Sequence, residues 1–145
     1  MAIFDRIGDL VKTNIDDMID RAEDPEGMVK QIIIDMEEHL SKAAQSLDSA
    51  AGSQSHIKKQ LSDAKVQSKK WREQEEQALR DGDEDLAKQA LANKVRQDNL
   101  AEQYSLMVSS MEEHVRELHL QTSALKKKLE EARSKQNILI ASKNK

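Results

Sequence analysis

Cysteine is absent from the 145 residues, which removes disulfide staples, thiolate metal sites and a thiol nucleophile together and fits a reducing compartment. Aromatic residues make up 2% of the chain, one each of Trp, Tyr and Phe, while 34% is charged. That is too little bulk for a globular core, so the apolar residues must act as stripes along helices. One proline and four glycines leave few places to stop or turn. No run of about 18 apolar residues offers a membrane-spanning helix. Asp5, Arg6 and Asp9 interrupt the stretch a secretory signal would need, so the chain is expected to stay in the cytoplasm. Nor is there a cationic excess. Lys+Arg 23 against Asp+Glu 27 give a formal net charge of -4, which argues against nucleic acid as a partner.

What the chain does have is helical periodicity, organised about Arg80-Asp81-Gly82-Asp83-Glu84. Gly82 can adopt the left-handed conformation that ends one helix, and Asp83 can accept from the free N–H groups that open the next. Asp81, Gly82 and Asp83 are therefore expected at the tip of a helical hairpin. The class is all-α: an N-terminal amphipathic helix followed by a long antiparallel two-helix coiled coil. The expected boundaries are 1–22 for the amphipathic helix, 23–27 for a break and helix start, 28–80 for the first arm, 81–84 for the turn, 85–141 for the second arm and 142–145 for the end.

Over residues 2–22, Ile3, Phe4, Ile7, Leu10, Val11, Ile15, Met18 and Ile19 fall within about half the circumference at roughly 100° per residue. The other half carries Asp5, Arg6, Asp9, Lys12, Thr13, Asp16, Asp17 and Asp20, with Asn14 and Arg21 as exceptions on the apolar side. Against a thin two-helix rod such a face has three outlets: a membrane, a second subunit or the side of the rod. The leading Ile3-Phe4 favours the membrane interface, making these eight apolar residues the candidate membrane-binding set. In Glu23-Asp24-Pro25, Asp24 suits an N-cap and Pro25 the first helical position, so the chain can bend there.

From Val29 to Ala78 the spacing alternates four and three: Val29, Ile33, Met36, Leu40, Ala43, Leu47, Ala50, Gln54, Ile57, Leu61, Ala64, Ser68, Trp71, Glu75, Ala78. A heptad seam of that length argues for a coiled coil. Beyond the turn it resumes as Leu86, Ala90, Asn93, Gln97, Leu100, Tyr104, Met107, Met111, Val115, Leu118, Thr122, Leu125, Leu129, Ala132, Gln136 and Leu139, with a stutter at the step through Met111, Val115 and Leu118. Folding about Gly82 sets Ala64 near Leu100, Leu47 near Leu118, Leu40 near Leu125 and Met36 near Leu129. Apolar residues outside the seam remain: Leu79, Leu91 and Val95 near the tip, which are candidates for self-association, Met28, Ile32 and Ile34 near the base, and Leu106, Val108 and Leu120 on the second arm.

Four histidines, His39, His56, His114 and His119, show no i, i+4 pair and no Glu-x-x-His motif, so no metal site is expected. A helical rod has no water-excluded cleft in which a carboxylate could be tuned for catalysis, and no Gly-rich phosphate loop is present. The expectation is no enzyme and no cofactor.

Several short segments carry a family likeness when taken together in order: Ile3-Phe4-Asp5-Arg6-Ile7, Glu23-Asp24-Pro25, Ile34-Asp35-Met36-Glu37-Glu38, Trp71-Arg72 followed by Glu76-Gln77-Ala78-Leu79, and Gly82-Asp83-Glu84-Asp85-Leu86-Ala87 leading to Gln89-Ala90-Leu91. Across its whole length the chain resembles the phage shock protein A family with its vesicle-inducing plastid relatives, part of the superfamily of ESCRT-III-like membrane-remodelling proteins. The resemblance implies a peripheral protein on the inner face of a bacterial membrane, or on a plastid or thylakoid membrane. It would bind stressed lipid through the first helix, self-assemble into a homo-oligomer and maintain or remodel the membrane. It also implies a candidate protein partner, an AAA+ transcription activator, whose inhibition by the hairpin is the alternative reading. Family members continue beyond the hairpin into further helices. The five aspartates of the first helix outnumber its cations, so binding is expected to rest on apolar insertion more than on anionic lipid.

Overall fold

A computed structural model describes residues 2–143, with side chains from Ile3 onward. Met1, and Asn144 and Lys145 of the expected end segment, lie outside the described residues. Four helices follow one another: α1 (Ala2–Lys12), α2 (Ile15–Arg21), α3 (Pro25–Arg80) and α4 (Glu84–Lys143). The long pair α3 and α4 pack together as an antiparallel hairpin. Their contacts divide the chain into two compact units, one formed by residues 1–49 with 115–145 and the other by residues 50–114. They are called here the end unit and the turn unit.

Each boundary has a local cause. Asp24 caps α3, its Oδ1 accepting the Gly27 N–H at 3.1 Å and its carbonyl the Met28 N–H at 3.0 Å, while Pro25 takes the first helical position, where its missing N–H costs nothing. A Cβ at Gly27 would run into the Asp24 carboxylate, so a larger residue there would make the capping side chain shift. At the other end of α3, Gly82 has φ of 75°. The Asp83 N–H reaches back to the Ala78 carbonyl at 2.9 Å and the Gly82 N–H to that of Leu79 at 3.2 Å, which satisfies carbonyls that a helix end leaves open. Asp83 then caps α4, its Oδ1 accepting from Leu86 N–H at 3.1 Å.

In the turn unit the buried residues are small: Ala64 of α3 and Ala78 near its end, with Ala87, Ala90 and Val108 of α4. Ile57, Leu61, Leu100, Tyr104, Met111 and Trp71 are only half-buried, because two helices alone cannot enclose a large side chain. Ala64, Leu100 and Tyr104 line one shallow groove. Polar ties cross between the arms here, Lys58 to Glu112 at 3.5 Å and the Ser68 hydroxyl to Asp98. Hydrogen bonds from Lys94 and then Ser68 hold the Asp98 carboxyl below its usual range.

On α3 each position of the alternation from Val29 to Ala78 is buried or half-buried, whereas on α4 two counted positions are exposed. Met107 is 47% exposed and Val108 is buried; Leu86 is likewise exposed and Ala87 buried. The inward positions of α4 include Ala87, Ala90, Lys94, Gln97, Ala101, Tyr104, Val108, Met111, Val115, Leu118, Thr122, Leu125, Leu129, Ala132, a three-four alternation with no stutter, and the counted Asn93 and Leu100 are half-buried beside Lys94 and Ala101. The reason is volume. Where two helices meet closely, an alanine or the stem of Lys94, whose ammonium turns out to Asp98 at 2.7 Å, fits the interface better than leucine or methionine. Both counts share Ala90, Gln97, Tyr104 and Met111; counting the largest aliphatics sets Leu86 for Ala87 and Met107 for Val108, one residue early, and the stutter follows from that choice.

The end unit differs because α1 and α2 cover it. Val29, Ile33, Met36 and Ala43 of α3 form one apolar cluster with Leu118, Leu125, Leu129 and Ala132 of α4 and with residues of the two short helices. Ile32 joins the cluster, and Met28, Leu40, Leu47 and Leu139 pack at its edge. Thr122 is the only buried polar residue among the described residues; its hydroxyl donates to the Leu118 carbonyl at 2.8 Å. Arg133 pairs with Glu37 at 3.3 Å and Lys143 with Glu26 at 3.4 Å, contacts that require α3 and α4 to run antiparallel.

Candidate membrane-binding element

The eight apolar residues singled out in 1–22 lie on two helices rather than one. Asn14, an exception on the apolar side of the expected single helix, marks the joint. Its backbone is extended, and its side-chain oxygen accepts the Asp17 N–H at 3.0 Å, capping α2. Just before it, the Thr13 hydroxyl donates to the Asp9 carbonyl at 3.1 Å, and the Thr13 carbonyl accepts Lys128 Nζ of α4 at 2.6 Å. A cation at a helix C-terminus is favoured by the partial negative charge there.

Phe4, Ile7, Leu10 and Ile15 are buried, Ile7 and Ile15 at 0% exposure, and all four belong to the apolar cluster of the end unit. Ile3, Val11, Met18 and Ile19 are half-buried against the same cluster. Of the three outlets open to this face, the structure shows the side of the hairpin occupied. Met28 and Ile32, beside the seam of α3 and one helical turn apart, join the same cluster, Ile32 within it and Met28 at its edge. Those two residues carry a visible signal, an apolar i, i+4 pair that a two-helix seam cannot use.

Polar contacts tie the outer surface of these helices to the hairpin. Arg6 pairs with Asp35 of α3, a carboxylate that also stands 3.0 Å from His39 Nδ1. Lys135 of α4 meets Asp16 at 2.7 Å, and that hydrogen bond, with the charge behind it, raises the Lys135 ammonium above its usual 10.5. Asp5, Asp9, Asp16, Asp17 and Asp20 are exposed, so the face turned to solvent is acidic. None of the three tying cations, Arg6, Lys128 and Lys135, is marked by local pattern, because their partners lie far away in sequence.

The self-association candidates occupy the turn unit. Leu79, Leu91 and Val95 are all exposed, Leu79 to 60%. Leu79 and Leu91 line a shallow groove of about 400 Å³ with Glu75, Glu84, Ala87 and Lys88. Among the described residues no helix is long and apolar enough to cross a membrane.

The model of the PspA/IM30 family matches residues 2–145. The chain is similar to "Membrane-associated protein Vipp1" of Synechocystis, 33% identical over 97% of this chain and 53% of that protein. It is similar also to the protein of the same name in Nostoc punctiforme, 34% identical over 97% and 55%, and to "Phage shock protein A homolog" of Deinococcus radiodurans, 30% identical over 97% and 63%. The chain thus spans between about half and under two thirds of the length of these relatives.

Proposed function

This chain belongs to the PspA/IM30 family, and from that premise we propose that it is a peripheral membrane-stress protein, with α1 and α2 as an apolar lipid anchor and the α3–α4 hairpin as a self-assembly element. The observation that carries this reading is the division of α1–α2 into an apolar face of eight residues and an acidic outer face, in a family with relatives named as membrane-associated. Helices of this kind bind by placing apolar side chains at the acyl boundary. With five aspartates against Arg6, Lys12 and Arg21, attraction to anionic headgroups contributes little. Self-assembly is supported by the exposed Leu79, Leu91 and Val95, and the chain performs no covalent chemistry in this reading. Maintenance or remodelling of the inner or thylakoid membrane is the role proposed.

Liposome flotation tests it, comparing the full chain with Phe4→Asp on loosely and tightly packed vesicles at low and high salt. The expected result is flotation of the unsubstituted chain alone, greater on loosely packed lipid and nearly independent of salt. If the unsubstituted chain floats on neither lipid, the anchor reading is wrong, and the exposed surface of the hairpin, with an AAA+ activator as its candidate partner, becomes the function to pursue.

A further inference from the structure

We propose that α1–α2 is an autoinhibitory latch: the residues that would enter lipid are the same residues that close the end unit, and three polar ties to α3 and α4 set how readily they let go. The inference rests on the membrane reading above and adds a control to it. Ile7 and Ile15 are fully buried within the cluster that Val29, Met36 and Leu125 share, so the closed and lipid-inserted arrangements exclude each other. Lipid binding is therefore conditional on release.

The ties fall on both sides of the joint at Asn14. Arg6 holds α1 to Asp35 of α3, Lys128 reaches the end of α1 through the Thr13 carbonyl, and Lys135 holds the start of α2 through Asp16. Arg6–Asp35 and Lys135–Asp16 lie outside the apolar face, where water and salt reach them, and such pairs are individually weak; the Lys128 contact with the Thr13 carbonyl is part-buried. They tune the closed state while the apolar contacts supply most of its stability. The connection to α3 also suits release. Ala22 is extended, and α3 is capped by Asp24 through bonds made only to Gly27 and Met28. The start of α3 therefore loses no cap when α2 leaves. The apolar side chains exchange one dry surrounding for another, so lipid whose packing exposes acyl chains can drive the opening, whereas tightly packed lipid cannot. The closed form is thus a sensor threshold for packing defects.

Because the chain has no cysteine, the latch can be locked chemically. Asp16→Cys with Lys135→Cys, joined by a short bismaleimide linker that contains a reducible disulfide, fixes α2 to α4 in the full chain. On vesicles of equal parts dioleoylphosphatidylcholine and dioleoylphosphatidylethanolamine, the linked protein is expected to stay unbound and to float after reduction. Lys135→Glu without a linker is expected to tighten vesicle binding roughly two- to fivefold by weakening the closed state, and Asp16→Lys combined with Lys135→Glu to return it to the original level. Equal flotation of the linked and reduced forms overturns the latch while leaving the anchor reading intact. Failure of the reduced form and the unsubstituted chain to float overturns the anchor reading, and the latch with it.

Discussion

The end unit buries Ile7, Ile15, Val29, Met36 and Leu125 completely, whereas the turn unit buries four alanines and a valine. Both are built on the same pair of helices and the same heptad alternation. What separates them is the number of walls around the seam. Two helices enclose a strip wide enough for alanine and leave larger residues half wet; two further short helices roof that strip and turn it into a core. Burial at a coiled-coil position is therefore set as much by what lies over the seam as by the residue in it.

The comparison breaks most visibly if the core is emptied. Ile15→Ala or Leu125→Ala should cost about 2–5 kcal/mol, and Leu100→Ala in the turn unit distinctly less, read by urea unfolding. Equal costs in the two units would remove the distinction. Next in size is the corrected register of α4. Val108→Asp places a charge at a buried position and should lower the thermal midpoint clearly, while Met107→Asp should stay within about 0.5 kcal/mol of the unsubstituted chain; the reverse order would restore the seam counted through Met107. Gly82→Val should cost about 1–2 kcal/mol from the positive φ, with faster amide exchange at Asp83 and Leu86 and little change around Ile7 and Met36. The smallest effect is a pH dependence confined to the end unit. The Lys135 pKa is raised above 10.5 by Asp16, so its contribution is complete below pH 10.5 and is lost as pH rises through the higher folded value. Protection of α2 amides, taken relative to their base-catalysed intrinsic exchange, should fall there, and Asp16→Asn should remove that fall.

Legibility in the sequence followed the range of the forces involved. The turn can be read from Asp81-Gly82-Asp83 because a positive φ and an N-cap are decided within a few residues. The seam of α3 can be read because its apolar positions have no competing neighbours over most of its length. In α4, neighbouring pairs such as Leu86-Ala87 and Met107-Val108 offer two choices, and hydrophobicity prefers the larger residue while a narrow interface prefers the smaller. The joint at Asn14 left a trace, a polar residue on an apolar face three positions before Asp17, yet an eleven-residue and a seven-residue helix share one hydrophobic face well enough to imitate a single helix. Docking of that face on the hairpin was legible only as one of three outlets, with the Met28 and Ile32 pair as its trace, since nothing local decides between an amphipathic helix that covers its own hairpin and one that covers lipid. Lys128 and Lys135 are lysines among many until the fold brings Thr13 and Asp16 to them.

The placement of the aromatic residues has an optical consequence. Trp71 and Tyr104 both sit half-buried in the turn unit, and the end unit has only Phe4. Intrinsic emission excited at the tryptophan band therefore follows the half of the hairpin with the thinner interior and is dark to anything α1 and α2 do. Gly8 lies on α1 with nothing within 4 Å of where a Cβ would stand, so an indole placed there, with Trp71 replaced by Phe, would move the lamp to the helices that matter. Its colour would then shift as they pass from protein to lipid.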